Sequence, residues 1–206
     1  LEVGNQAPNI SSLELTDDTP GDDSMILWPN ATQKIYCWGY VFDVDSSGDL
    51  TNAFGRIWDT GNYNYADAQH NKFQYRNDSC SFTAISGRAD ANALVNCSFD
   101  VWYYANYSDW NCTITINDTE SHLVNGTGNS TMEQLVAVDI TNSSLNWSTV
   151  AVDTDYDPYV EFSVENEGNV RMDLELDAYN DTVTGTTATN AFDCQVGSIG
   201  VDRIAF

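Results

Sequence analysis

The stretch Asn169–Tyr179 reads NVRMDLELDAY. Val170, Met172, Leu174 and Leu176 are apolar, and Arg171, Asp173, Glu175 and Asp177 between them are charged. Successive side chains of an extended backbone point to opposite faces, so this period of two buries one face and wets the other. Tyr159–Glu165 repeats the pattern, with Val160, Phe162 and Val164 set between Glu161, Ser163 and Glu165. Working outward, extended segments are expected over Ser11–Thr16, Lys34–Asp43, Ala53–Asp59, Leu94–Ala105, Trp110–Asn117, Leu135–Ile140 and Ser148–Val152. Turn signals separate them: Ser46-Ser47-Gly48-Asp49, Asp59-Thr60-Gly61-Asn62, Asn125-Gly126 and Glu167-Gly168-Asn169. Helical periodicity is nearly absent. Short strands every ~8–12 residues predict an all-β chain built as antiparallel sandwiches.

The length of 206 residues, with 42% hydrophobic and 12% aromatic content, suffices for one large β domain or two small ones. The stretch Glu120–Thr131, ESHLVNGTGNST, is polar and glycine-containing and reads as a linker. The chain is therefore divided near Ser121, into sandwich domains at 1–120 and 121–206.

Thirty-one acids against seven bases give a net charge of −24, and Lys34 and Lys72 are the lysines. Such a surface repels nucleic acid and anionic membranes. No apolar run approaches the ~18–20 residues needed to span a bilayer as a helix. The start at Leu1, without a basic and apolar leader, fits a mature form from which a secretory signal has been removed.

The acceptor pattern N-x-S/T occurs at Asn9, Asn30, Asn77, Asn96, Asn106, Asn111, Asn117, Asn125, Asn129, Asn142, Asn146 and Asn180. Random placement of the 21 Asn and 36 Ser plus Thr would give about 4. A threefold excess points to covalent N-glycans and a secreted chain, against the plainer reading of turn-rich composition. Asn96 and Asn111 each precede a cysteine, where strand pairing would hinder modification.

The five cysteines are Cys37, Cys80, Cys97, Cys112 and Cys194. No C-x-x-C and no Cys/His cluster occurs, which argues against zinc and thioredoxin-type redox chemistry. Four lie within the first 112 residues and suggest two disulfides in one domain, with three connectivities open. Cys194 is left over, either a buried thiol or a link to another chain, and the buried thiol is the better expectation.

Catalytic signatures are missing from the sequence: there is no G-x-S-x-G, no H-E-x-x-H and no glycine-rich phosphate loop. His70 and His122 have no recognisable nucleophile partner, and among 31 acids a glycosidase-like pair carries no information. No enzyme activity, cofactor or metal is expected. Asp43–Asp49 begins like a calcium loop, but the bidentate acid would fall at Phe54, so a hairpin turn is the better reading. Asp153, Asp155 and Asp157 beside Pro158 read the same way. The aromatic run Trp102, Tyr103, Tyr104, Tyr107 and Trp110 could stack on sugar rings, yet strand alternation puts at least half of it in the core.

Ile35-Tyr36-Cys37-Trp38, followed by Trp110-Asn111-Cys112, resembles the immunoglobulin-type sandwich, in which an early and a late cysteine staple the sheets and an aromatic precedes the late one by two residues. That resemblance implies Cys37–Cys112, and hence Cys80–Cys97. The runs YCWGYVFDVDSSGDL (36–50), YRNDSC (75–80), CSFDVWYYANYSDWNC (97–112) and TITIND (113–118) resemble Ig-like modules of archaeal secreted proteins. VENEGNVRMDLEL (164–176) and FDCQVGSIGV (192–201) resemble a second archaeal surface module. What these resemblances imply is a fold and a cell-surface setting: two Ig-like β-sandwich domains in a self-associating subunit of a filament, pilus-like thread or surface layer. Leu1–Pro8 is expected to be a loose extension that could add a strand to a neighbour. The apolar end Ile204-Ala205-Phe206 is expected either to tuck into a sheet or to belong to a module completed from elsewhere. The other expectation is an adhesin or carbohydrate-binding surface module.

Overall fold

A computed structural model describes residues 5–17, 24–88, 91–141, 163–174, 190–193 and 198–200. These residues form strands, turns and one 3-10 turn, Ser47–Asp49. In chain order the strands are β1 (Asn9–Ile10), β2 (Glu14–Thr16), β3 (Ser24–Met25), β4 (Thr32–Phe42), β5 (Leu50–Asp59), β6 (Gln74–Asn77), β7 (Ser81–Ala84), β8 (Ala93–Trp102), β9 (Asp109–Asp118), β10 (Leu123–Met132), β11 (Val138–Ile140), β12 (Val164–Asn166), β13 (Asn190–Asp193) and β14 (Ser198–Gly200). The protein is all-β. It divides into two compact units, Leu1–Arg171 and Met172–Phe206.

In the first unit, one five-stranded sheet has the order β1-β4-β8-β7, with β2 also paired to β4. The other has the order β3-β10-β9-β5-β6. Their pairings are antiparallel except β3 with β10, which run parallel. Strand β8 shows why the sheets pack together: Ala93, Val95, Cys97, Phe99 and Val101 are buried at alternate positions. Strand β9 answers with Trp110, Cys112, Ile114 and Ile116, each at 0% exposure. Fully burying an Ile contributes roughly 1.5–3 kcal/mol, so these two strands anchor the core. The Cys37–Cys112 disulfide joins β4 of one sheet to β9 of the other.

The stretch read as a linker is strand β10. It pairs with β9 from Leu123 to Thr131, so the division near Ser121 cuts through a hairpin of the second sheet. Apolar alternation is missing for a physical reason. The inward positions Gly126 and Gly128 are small because the chain between β1 and β2 lies across them. A Cβ on Gly128 would sit 2.3 Å from the Leu13 carbonyl oxygen, and one on Gly126 would sit 2.8 Å from Ile10 Cδ1. The Leu13 amide donates to the Thr127 carbonyl at 3.0 Å, which ties the edge of the first sheet to the second.

Residues 5–8 of the expected loose extension are docked. Asn5 Nδ2 donates to Thr119 Oγ1 at 3.3 Å, the Gln6 amide donates to Asp45 Oδ2 at 2.7 Å, and Pro8 is buried. Asp43–Asp49 is not a hairpin, because it carries the chain from β4 in one sheet to β5 in the other.

The alternating stretch 169–179 is not a strand over its described part, 169–174. Asn166 holds the chain in a turn after β12: its Oδ1 accepts from the Gly168 amide at 2.9 Å and its Nδ2 donates to the Val170 carbonyl at 2.8 Å. Residues 175–179, the segment 148–152, Asp153, Asp155, Asp157, Cys194, the chain end at Phe206 and most of 159–165 lie outside the described residues. Strands β11 and β12 form a two-stranded antiparallel ribbon. In the second unit, β13 and β14 form an antiparallel hairpin with a register shift between Asn190 and Phe192.

Candidate functional site

Two disulfides meet in the core of the first unit. Cys37 on β4 stands opposite Cys97 on β8 in the sheet register, and both are fully buried. Cys37 bonds to Cys112 across the sheets, and Cys97 bonds to Cys80 just before β7. Gly55 on β5 makes room for this pair, since a Cβ there would come within 2.6 Å of Cys97 Sγ. Trp110, two residues before Cys112, donates its indole N–H to the Asn106 carbonyl at 2.8 Å. Tyr75 fixes the neighbouring turns: its hydroxyl donates to the Asn71 carbonyl and accepts from the Trp102 amide at 3.0 Å. Burial is the main cause that pushes the Tyr75 hydroxyl pKa far above the usual tyrosine range.

The candidate glycan acceptors fall into two groups. Asn9, Asn30, Asn125 and Asn129 are exposed, and so are the hydroxyl residues that complete their patterns, Ser11, Thr32, Thr127 and Thr131. Asn30 sits in the left-handed region with φ 49°, a conformation that asparagine tolerates better than most residues. Asn125 Oδ1 accepts from Thr115 Oγ1 at 2.6 Å. Asn77, Asn96, Asn106, Asn111 and Asn117 are only partly exposed. Asn142, Asn146 and Asn180 lie outside the described residues.

Asp59, at 0% exposure, organises the loop that follows β5. Its Oδ1 accepts from the Gly61 amide at 2.8 Å, and its Oδ2 accepts from Asn62 Nδ2 at 2.6 Å and Asn106 Nδ2 at 2.8 Å. The sequence marked this loop as a turn signal, but no local pattern pointed to Asn106 as the partner from forty-seven positions away. Asp118 plays the same part in the β9–β10 turn. It accepts from the amides of Glu120 and His122 and from His122 Nδ1, the last at 2.6 Å. His70 stacks on Phe73 at 5.1 Å between ring centroids, and Tyr63 stacks on the same ring at 5.2 Å.

The aromatic run divides between core and surface. Trp110 is fully buried, while Trp102 at 39% and Tyr107 at 41% are exposed. Strand β8 ends at Trp102, so Tyr103 and Tyr104 lie in a turn and strand alternation does not govern them. Trp102 and Tyr104 stack 5.8 Å apart with 14° between their planes.

In the Asp43 loop, Asp43 is buried and its Oδ1 accepts from the Asp45 amide at 2.9 Å, which shapes a turn. Among the described residues, no group of three or more His, Cys, Asp or Glu side chains is placed to hold a metal ion. No helix among them is long and apolar enough to cross a membrane. No protein-family model matches the chain, and a search of curated proteins finds no relative.

Proposed function

We propose that this chain is an extracellular structural subunit of a glycosylated archaeal filament, pilus-like thread or surface layer, with a first unit of immunoglobulin-like topology and no catalytic role. The observation that carries this reading is the doubly stapled sandwich. Its two disulfides suit an oxidising compartment, and one of them locks the two sheets together. The strand order supports the immunoglobulin-like reading. Strands β1, β4, β8 and β7 correspond in order to A, B, E and D, and β10, β9 and β5 to G, F and C, with the inter-sheet disulfide between B and F. Trp110 then takes the place of the corner tyrosine, tying back to a carbonyl four residues upstream.

Exposed apolar side chains favour assembly. Ile26, Trp28, Val136, Val138 and Ile140 are all more than half exposed and offer apolar surface that a neighbouring copy could cover. Strand exchange between copies remains part of the proposal, through residues preceding β1 and the short outermost strands. Electron microscopy of the extracellular material is the test: threads or a lattice built of this chain support the reading, and a dispersed monomer refutes it. Deleting residues 1–8 addresses exchange separately. Loss of polymers with folded monomers retained supports it, and unchanged polymers exclude it.

A second reading, a carbohydrate-binding or adhesive module, is favoured by the exposed Trp102, which stacks on the partly buried Tyr104. Flat aromatic faces of this kind stack on sugar rings. Retention on a glycan array that is lost in Trp102→Ala, with no polymer formed, would decide for it.

A further inference from the structure

Resting on the glycoprotein reading above, we infer that, among the described acceptors, Asn9, Asn30, Asn125 and Asn129 carry carbohydrate, and that Asn77, Asn96, Asn106, Asn111 and Asn117 stay bare because the fold turns inward or covers their amides or the hydroxyls of their patterns.

An N-linked sugar replaces a hydrogen on Nδ2 and needs open space beyond that nitrogen. Asn106 Nδ2 is turned into the fold, where it donates to Oδ2 of the fully buried Asp59 at 2.8 Å, and Oγ of Ser108, the hydroxyl of its pattern, is buried. Asn77 has both ends of its amide engaged, with Nδ2 on the Ser98 carbonyl at 2.8 Å and Oδ1 on the Ser79 amide at 2.9 Å. Asn96 and Asn117 each have a buried Oδ1, and each stands mid-sheet between two paired neighbours: Trp38 and Ser81 for Asn96, Asn52 and Leu123 for Asn117. Asn111 lies between Trp58 and Asn129 in the sheet, and its pattern ends in the buried Thr113. Side chains directly opposite on antiparallel strands have Cβ atoms about 4.5–5.5 Å apart, so a glycan on Asn129 covers Asn111.

Three of the four open acceptors, Asn9, Asn125 and Asn129, share a flank. Asn9 is on β1, an outermost strand of the first sheet. Asn125 and Asn129 are on β10, which meets β1 where Ile10 packs over Gly126. Asn30 lies apart from these, in the turn that enters β4, where the Ala31 carbonyl accepts from the Tyr103 amide at 3.0 Å and Thr32 pairs with Trp102 on β8. The opposite flank is edged by β6 and β7. Asn77 is the acceptor pattern there among the described residues, and its Nδ2 is turned toward the Ser98 carbonyl. With Asn77 bare, the described acceptors leave the outer edges of β6 and β7 clear for contact with protein.

Glycopeptide mass spectrometry of the chain purified from the cells that secrete it tests this. Sugar on the four exposed acceptors and none on the other five is the expected result. Sugar on any of those five overturns the placement while leaving the glycoprotein reading intact. A chain free of sugar throughout overturns both. Two variants make the distinction independent of peptide coverage. Thr127→Ala, which ends the Asn125 pattern but keeps the Asn125–Thr115 hydrogen bond, should lose the mass of one glycan at nearly unchanged Tm. Asn106→Gln should keep the full glycan mass and lower Tm by several degrees, because Asp59 loses a partner. A glycan-sized mass loss in Asn106→Gln sinks the inference.

Discussion

Cys37 and Cys97 face each other across the β4–β8 ladder, yet each is bonded to a different third cysteine. Two disulfides therefore lie side by side, with Cys37, Cys97 and Cys112 buried and Cys80 partly so, and freeing one sulfur places a thiol beside the other bond. Exchange proceeds by thiolate attack on a neighbouring disulfide sulfur. Cys80→Ser should therefore yield mixed connectivity, with Cys97 paired in part to Cys37 or Cys112. The double variant Cys80→Ser/Cys97→Ser should keep Cys37–Cys112 alone. Disulfide mapping of both proteins decides, and uniform Cys37–Cys112 in the single variant would count against the exchange. Loop-closure entropy sets the stability order. The bond closing 75 positions should contribute about 4.5 kcal/mol and the one closing 17 about 3 kcal/mol.

Gly128 is the tightest backbone crossing in the sandwich. Its missing Cβ would meet the Leu13 carbonyl oxygen, a backbone atom that cannot rotate away. Gly39 is also close to Leu13, but there the neighbour is Cδ2, the far end of a flexible side chain. Gly128→Ala should therefore cost about 3 kcal/mol or more and Gly39→Ala about 1–2 kcal/mol, by the usual scale of overpacking. Urea unfolding of the two variants checks the order, and equal midpoints would show that the Leu13 crossing yields easily.

Strands β4, β5, β8 and β9 were legible because each buries one face continuously and their apolar residues alternate. Strand β10 was hidden: its inner face is Gly126, Gly128 and Ser130, made small by a chain segment more than a hundred positions away. The described part of the stretch after Asn169, residues 170–174, misled in the opposite direction. It has ideal alternation, but Asn166 and Asn169 bind the backbone around them, with Asn169 Nδ2 on the Glu133 carbonyl, and Leu174 is 62% exposed. A period of two states what a strand would bury; it does not supply the partner strand. The acceptor asparagines were legible one by one, but their division into open and engaged amides depends on contacts such as Asn106 with Asp59.

Tyr75 should prove costly to trim. Tyr75→Phe removes the donor to the Asn71 carbonyl and the acceptor for the Trp102 amide, in a site where the tyrosine is 4% exposed. Leaving buried backbone groups without partners costs roughly 1–3 kcal/mol. Thermal unfolding measures the loss. The raised hydroxyl pKa adds a pH signature. A group whose pKa is higher in the fold stabilises it below the unfolded value of about 10 and loses that contribution as pH rises further. Alkaline destabilisation should thus be weaker in Tyr75→Phe than in the parent.

Asp118 should set part of the acid limit of the fold. Burial by itself raises its carboxyl pKa, but the hydrogen bonds from the His122 amide, the His122 ring and the Glu120 amide outweigh burial and hold it below the usual carboxylate range. A carboxylate with a depressed pKa in the fold stabilises it above the unfolded value of about 3.9, and that contribution disappears as pH falls through the folded value. His122→Ala removes the ring contact at 2.6 Å and leaves the two amide donors. It should lower Tm near neutral pH and flatten the acid limb of the Tm–pH curve, while Asp118→Asn should flatten that limb further. The turn itself explains the order: Asp118 closes the hairpin between β9 and β10, and both its oxygens are used only while the carboxylate is ionised. A Tm–pH curve for Asp118→Asn that parallels the parent below pH 5 would show that another carboxylate governs acid unfolding.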